Sequence, residues 1–277
     1  MGFSRQSYDA LSLGNTSIAD SGGLTIVHPF YGEVDRFNFL YDNHWSQFND
    51  PKIKILAIDD CGTPEIHPEM EGRNCDFDLS IYRIYENIRH NAVGAFNLGM
   101  LLADTEYVLM LDSDCSFSVE DMQRIMEFKP SDNVLYKFSK IRIENTGPRY
   151  IRHNQQAASL ISKRLFTRLS MYDEDMTGET GGYGYWEYLF ANNVESGIYG
   201  HHTGQQFRRT FIDLAVREYM GSIYDYTHDP GKTNKKLWYD KGAGRVPINY
   251  QKLNFPWQCT YHNQPGEHRY IHVRDRV

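Results

Sequence analysis

The sequence predicts an α/β protein, an open sheet with helices packed on it, and three observations carry that expectation. The first is Tyr107 to Leu111, an apolar run ending in two carboxylates, Asp112 and Asp114. A wholly apolar run reads as a strand covered on both faces, which puts the acids at its C-terminal tip. The second is the order strand, helix, strand between Leu24 and Ile58, a βαβ unit. The third is a helical pattern on either side of the Tyr107 strand, Gly94 to Ala103 before it and Val119 to Phe128 after it. Open α/β sheets bind ligands at the carboxyl ends of their strands, so the Asp112 tip is where the site is expected.

Residues 1–23 are polar and rich in Ser and Gly and read as a flexible tail. Leu24 to Pro29 is a short strand stopped by proline. Val34, Phe37, Tyr41, Trp45 and Phe48 then recur at helical spacing, and Lys52 to Ile58 is a second strand closed by the turn Asp59-Asp60-Cys61-Gly62. Phe77 to Tyr85 alternates as a third strand. The small residues of Gly94 to Ala103 allow that helix to lie close on the sheet. Ser118 is placed to cap the helix that follows the acids, with Asp121 favourable near its positive N-terminal end. Asn133 to Ile143 reads as a strand, and Ser159 to Leu169 as a strand running into a short helix. Tyr172 to Tyr188 holds five acids and four glycines, a loop composition. Gln205 to Tyr219, with Phe207, Phe211, Leu214 and Ala215, reads as one more amphipathic helix. With no repeat or low-complexity linker, residues 24–277 are expected to form one domain.

Composition narrows the function. The chain has 277 residues, a net charge of -7 and a pI near 5.9, which argues against nucleic-acid binding, since that needs clustered Lys and Arg. Cys61, Cys75, Cys115 and Cys259 show neither metal-site spacing nor the density of a disulfide scaffold. No window approaches the roughly 20 apolar residues of a membrane span. The expectation is a soluble, cytoplasmic protein without a transmembrane segment.

On an extended chain, residues two apart share a face, so Asp112 and Asp114 would stand side by side. Like charges that close repel unless a cation lies between them. A hard divalent ion, Mn2+ or Mg2+, with oxygen ligands is the simplest partner, and a nucleoside diphosphate is its usual cargo. The same spacing occurs at Asp76/Asp78 and Asp173/Asp175, so setting rather than spacing singles out the central pair.

Several stretches together, from about Leu24 to His202, resemble the inverting family-two glycosyltransferases of the GT-A fold. They are the opening strand, the Asp59-Asp60-Cys61-Gly62 loop, Asn97-Leu98-Gly99, Leu111-Asp112-Ser113-Asp114, and Tyr172 to Asp175 followed by the Gly-rich run and Trp186-Glu187. The resemblance implies a Rossmann-like central mixed sheet flanked by helices, with a nucleotide-binding half at residues 24–115 and an acceptor-binding half with a C-terminal extension at residues 116–277, and a nucleotide-sugar donor, most simply a UDP-sugar. It implies that Asp60 accepts a hydrogen bond from the base, with His28, Asp59, Asn97 and Ser113 also in the nucleotide site. Asp112 would hold the ribose or the metal's water shell, and Asp114 would ligate the metal, with His202 or its neighbour His201 completing the shell. Glu187 would be the general base, with Asp175 and Glu179 in reserve, and Tyr185 and Trp186 would meet the acceptor, a glycan, a lipid-linked sugar or a protein.

Two departures shape that expectation. Trp186-Glu187-Tyr188 stands where the family usually shows Glu-Asp, and Gln205-Gln-Phe-Arg208 is followed by Arg209 rather than the Trp of processive synthases. Transfer of a single sugar is therefore expected. Two other readings stay open: a sugar-binding module that lacks turnover, and a haloacid-dehalogenase-type phosphatase using Asp112, against which the upstream position of Asp59-Asp60 speaks.

Overall fold

The computed structural model describes residues 14–48, 50–73, 75–88, 91–144, 147–151, 158–168, 171–172, 174, 208–218, 253 and 255–263. The opening unit is strand β1 (Leu24–Phe30), helix α1 (Val34–Asn43), strand β2 (Ile53–Asp60) and strand β3 (Asp78–Ile84). Helix α2 (Ala92–Leu102) leads into β4 (Tyr107–Leu111). After a turn come β5 (Cys115–Ser116), α3 (Val119–Glu127), β6 (Val134–Glu144), β7 (Gly147–Ile151), β8 (Ala158–Ser162), α4 (Lys163–Arg168), β9 (Arg208–Glu218) and β10 (Trp257–Asn263).

The strands join one mixed sheet in the order β10-β3-β2-β1-β4-β8-β6-β9-β5, with β7 paired to β6. β1 runs parallel to β2 on one side and to β4 on the other, so the chain order reverses at β1, and the tips of β1 and β4 border the crevice position at which open α/β sheets bind ligands. The antiparallel strand β8 lies beyond β4 and makes the sheet mixed.

Both faces of the central strands are buried, as their continuous apolar sequence requires. Leu24, Ile26 and Phe30 of β1 and Tyr107, Leu109 and Leu111 of β4 pack with α1 and α3 on one face. Val27, Val108 and Met110 face α2 and α4 on the other. Helix α2 comes very close: a Cβ added at Gly99 would lie 2.3 Å from Cγ1 of Val27, so a larger residue there would push the helix off β1. Ser118 caps α3, its hydroxyl accepting from the Asp121 N–H at 3.1 Å, as its place in the sequence predicts.

The structure corrects four expectations. The polar segment 1–23 is not a tail throughout: from Gly14 onward it is tied by backbone hydrogen bonds to the end of α3, and Ile18 is fully buried in the core. The α1 helix stops at Asn43, and Trp45 joins the same core from a separate short turn, Trp45–Gln47. Residues 208–218 form strand β9 rather than a helix. The register of β9 on β6 jumps from Ile212 opposite Phe138 to Ala215 opposite Ser139, so Asp213 and Leu214 fall in an irregularity. That interruption breaks the period of two and leaves apolar residues at helix-like spacing. Fourth, Asp112 to Asp114 is not extended strand. The Cys115 N–H donates to the Asp112 carbonyl at 3.0 Å, closing a tight turn, so strand alternation does not set the direction of the two acids.

Candidate active site

The Asp112–Ser113–Asp114 turn sits where β4 ends, across the crevice from the loop that follows β1. Exposure alternates along it: Ser113 is buried, while Asp112 and Asp114 stay partly exposed. Ser113 points inward, its hydroxyl donating to Glu33 Oε2 at 2.6 Å and accepting from Arg36 Nη1 at 3.2 Å. Glu33, the residue before α1, and Arg36, in its first turn, form a buried ion pair. Burial pushes the Glu33 carboxyl above its ordinary range; Ser113 and Arg36 oppose the shift, and the negative charge of Asp114 adds to it. Ser113, expected among the nucleotide contacts, therefore directs its side chain away from the crevice.

His28 is likewise moved from the nucleotide to a position behind the turn. Its ring is buried beside Trp45, 5.5 Å between centroids, and Nδ1 lies 3.3 Å from the Asp112 carbonyl. Burial pulls its pKa down to about 3, so the ring is neutral, and the one hydrogen it carries is best placed on Nδ1, donating to Asp112.

At the tip of β2 the two acids separate in role. Asp59 is fully buried and accepts from the N–H groups of Gly62 at 3.0 Å and Ile66 at 3.3 Å, and from Arg83 Nη1 at 2.5 Å. Arg83 also donates to the Gly62 carbonyl at 3.2 Å. This network holds the Asp59-to-Ile66 loop in shape and occupies both oxygens of Asp59, placing it in the scaffold of the loop rather than on a ligand. Gly62 in turn is pressed against the loop after β1; a Cβ there would lie 1.9 Å from the Gly32 backbone nitrogen. Gly32, at φ +65°, takes a left-handed conformation beside Thr63. The two loops that border the crevice are thus interlocked.

Asp60, the next residue, has one partner of a different kind: Asn91 Nδ2, from the residue preceding α2, donates to Asp60 Oδ1 at 3.0 Å. Burial pushes its pKa up to about 7; the side chain and backbone of Asn91 oppose the shift, and the charge of Asp59 adds to it. A carboxyl poised between its two protonation states beside the crevice can accept or donate a hydrogen bond near neutrality.

Asn97, expected at the nucleotide, is bonded to Tyr172 and Glu174. Its Oδ1 accepts from the Tyr172 N–H at 2.9 Å, and its Nδ2 donates to the Tyr172 carbonyl at 3.0 Å and to Glu174 Oε1 at 2.9 Å. Asp175, Glu179, Tyr185, Trp186, Glu187, His201 and His202 lie outside the described residues.

Sequence reasoning missed Glu33, Arg36, Arg83 and Asn91. The signal for the first two was a charged i, i+3 pair opening an otherwise apolar-faced helix. Arg83 and Asn91 gave none, because each acts on an acid far away in the chain. Among the described residues no three His, Cys, Asp or Glu side chains converge as a metal shell. Asp112 and Asp114 supply two hard oxygen donors, which suits a divalent cation whose remaining ligands are diphosphate oxygens and water.

A mixed sheet with paired acids at its switch point fits the GT-A fold, which the solved structures described below share. The chain belongs to glycosyl transferase family 2, whose sequence profile matches residues 25–186, more than half of its length. A search of curated proteins finds no sequence match. Among solved structures the fold is similar to that of PcManGT, a mannosyltransferase from Pyrobaculum calidifontis in complex with GDP-Man and Mn2+, with TM-score 0.52 and 12% identity over 81% of this chain. It is also similar to S. aureus TarS 1–349 in complex with UDP-GlcNAc, with TM-score 0.50 and 15% identity over 73% of this chain. The chain spans 65% and 60% of those two proteins, and at these identities the likeness is one of fold. Among the described residues no helix is long and apolar enough to cross a membrane.

Proposed function

We propose that this chain transfers one sugar from a nucleotide diphosphate donor to an acceptor hydroxyl, with inversion at the anomeric carbon. The observation that carries the reading is the pair Asp112 and Asp114 at the tip of β4, partly exposed beside the crevice where chain order reverses. Asp114, with Asp112, would hold Mn2+ or Mg2+; such an ion offsets the charge that develops on the departing diphosphate. Asp60 would accept the base N–H, which with uracil is the imide, and a UDP-sugar is the donor we favour. Glu187 would take the proton of the acceptor hydroxyl as that oxygen attacks, with Asp175 as the next candidate and Tyr185 and Trp186 against the acceptor. His202 would complete the metal shell. Glycans, lipid-linked sugars and proteins are the acceptor classes that supply such a hydroxyl.

The test is a nucleotide-release assay over a panel of UDP- and GDP-sugars with sugar, lipid-linked and peptide acceptors. Release that depends on acceptor and is lost by about 100-fold or more in Glu187→Gln supports the assignment of the base. Donor binding without turnover on any acceptor would instead favour a sugar-binding module.

A further inference from the structure

We propose that Glu33 and Arg36 are positioning residues for the donor site: acting through Ser113, they fix the Asp112–Ser113–Asp114 turn so that the two flanking carboxylates face the crevice. This inference rests on the donor-site reading given above.

The geometry runs from the middle of the turn outward. Ser113 is the one residue of the three that is buried, and its hydroxyl is held by two hydrogen bonds, to Glu33 Oε2 at 2.6 Å and from Arg36 Nη1 at 3.2 Å. On either side of this buried serine, Asp112 and Asp114 remain partly exposed. The residue before it is anchored as well, since the Asp112 carbonyl receives His28 Nδ1 and the Cys115 N–H. The anchor comes from the opposite side of the crevice: Glu33 precedes α1 in the loop after β1, whereas Ser113 follows β4. The hydrogen bond therefore ties the loop after β1 to the turn after β4, from the buried side of that turn.

The chemistry of the anchor also points to positioning. A buried ion pair pays desolvation on both partners, and apolar residues of similar size would fasten α1 to the sheet at least as well. What the pair supplies and apolar residues do not is a directional acceptor and donor for one hydroxyl. Both oxygens of Glu33 are engaged within the cluster, Oε1 with Arg36 and Oε2 with the Ser113 hydroxyl. The pair brings no net charge to the turn, so the attraction for a cation is left to Asp112 and Asp114.

The experiment measures Mn2+ binding by electron paramagnetic resonance and UDP binding by calorimetry, with the full chain and the variants Ser113→Ala, Ser113→Thr, Glu33→Gln and the double variant Ser113→Ala/Glu33→Gln. Ser113→Ala, which loses both hydrogen bonds of the hydroxyl, and Glu33→Gln, which loses the charged acceptor of Ser113 and the partner of Arg36, should each weaken Mn2+-dependent UDP binding about tenfold or more. The double variant should be no worse than the poorer single one, since Glu33 acts on the turn through Ser113, and Ser113→Thr, which keeps the hydroxyl, should bind like wild type. In turnover the donor KM should rise while the acceptor KM stays put. Wild-type Kd values in folded Ser113→Ala and Glu33→Gln, with only thermal stability lowered, would overturn the proposal and leave the cluster a fastening for α1. Equal losses in Ser113→Thr and Ser113→Ala would overturn it too. A wild-type chain that binds neither Mn2+ nor UDP would overturn the donor-site reading itself, which is a different failure.

Discussion

Replacing Asp60 by Asn should make the unliganded protein more stable at neutral pH while it weakens nucleotide binding. Asp60 is 3% exposed, and its pKa is raised from 3.8 to about 7, first by burial. The sign follows from proton uptake. Between these two values the unfolded chain has released the proton and the folded chain still holds it, so folding binds a proton and stability falls as pH rises through the window. Above about pH 7 the folded carboxyl ionises as well and the loss levels off. A shift of about three units corresponds to a ceiling of about 4 kcal/mol, at roughly 1.4 kcal/mol per unit. Asn keeps an oxygen that can accept from Asn91 Nδ2 and carries no charge, so the variant is spared this loss. The assay is urea unfolding of both proteins at pH 4, 5.5 and 8. Glu33 and Asp78 also have raised pKa values, and taking the difference between the two proteins cancels their contribution, whereas Asp59, whose charge acts on Asp60, gains a neutral neighbour in the variant and adds to the difference. The variant's advantage should grow by about 3 kcal/mol from pH 4 to pH 8. A difference constant within about 0.5 kcal/mol over that range would refute the burial argument. Gained stability with lost affinity is the pattern of a site that keeps an unfavourable charge for binding.

Two further predictions concern the scaffold. Gly99→Ala should destabilise the fold by about 1–3 kcal/mol, because the new methyl meets Val27, and Val27→Ala should recover part of the loss when combined with it; chemical denaturation of the single and double variants measures both. Asn97→Ala breaks the two hydrogen bonds that hold the Tyr172 peptide, and their loss should cost about 1–3 kcal/mol. If Glu187 is the base as proposed, Asn97→Ala should also lower kcat with donor affinity nearly unchanged, since Asn97 bonds Tyr172 and Glu174, ahead of Glu187 in the chain; steady-state kinetics beside UDP titration separates the two effects.

The fold was legible where periodicity was clean. The apolar run of β4, the βαβ opening and the Ser118 cap state their structures in consecutive residues, and the Asp112–Ser113–Asp114 tip follows from them. β9 was misread because a register irregularity at Asp213 and Leu214 imitates helical spacing. Residues 14–23 were misread because polarity suggests solvent, while a single residue, Ile18, and a few backbone hydrogen bonds suffice to tie them down. At the site, the sequence indicated which acids stand near the crevice and not which way they turn. Asp59 and Asp60 are adjacent and chemically alike, yet Arg83, 24 positions away from Asp59, makes one a structural anchor and leaves the other beside the crevice. Ser113, His28 and Asn97 were found as positions near the site, but their partners, Glu33 and Arg36, the Asp112 carbonyl, and the Tyr172 peptide, are set by tertiary packing alone.

The most direct test of the central claim is calorimetric titration of the full chain with UDP, in Mn2+ and again in EDTA, beside an Asp114→Ala variant. The account predicts binding in Mn2+, its loss in EDTA, and its loss in the variant even with Mn2+ present. Metal-independent binding, binding that survives Asp114→Ala, or failure of every nucleoside diphosphate to bind would contradict it.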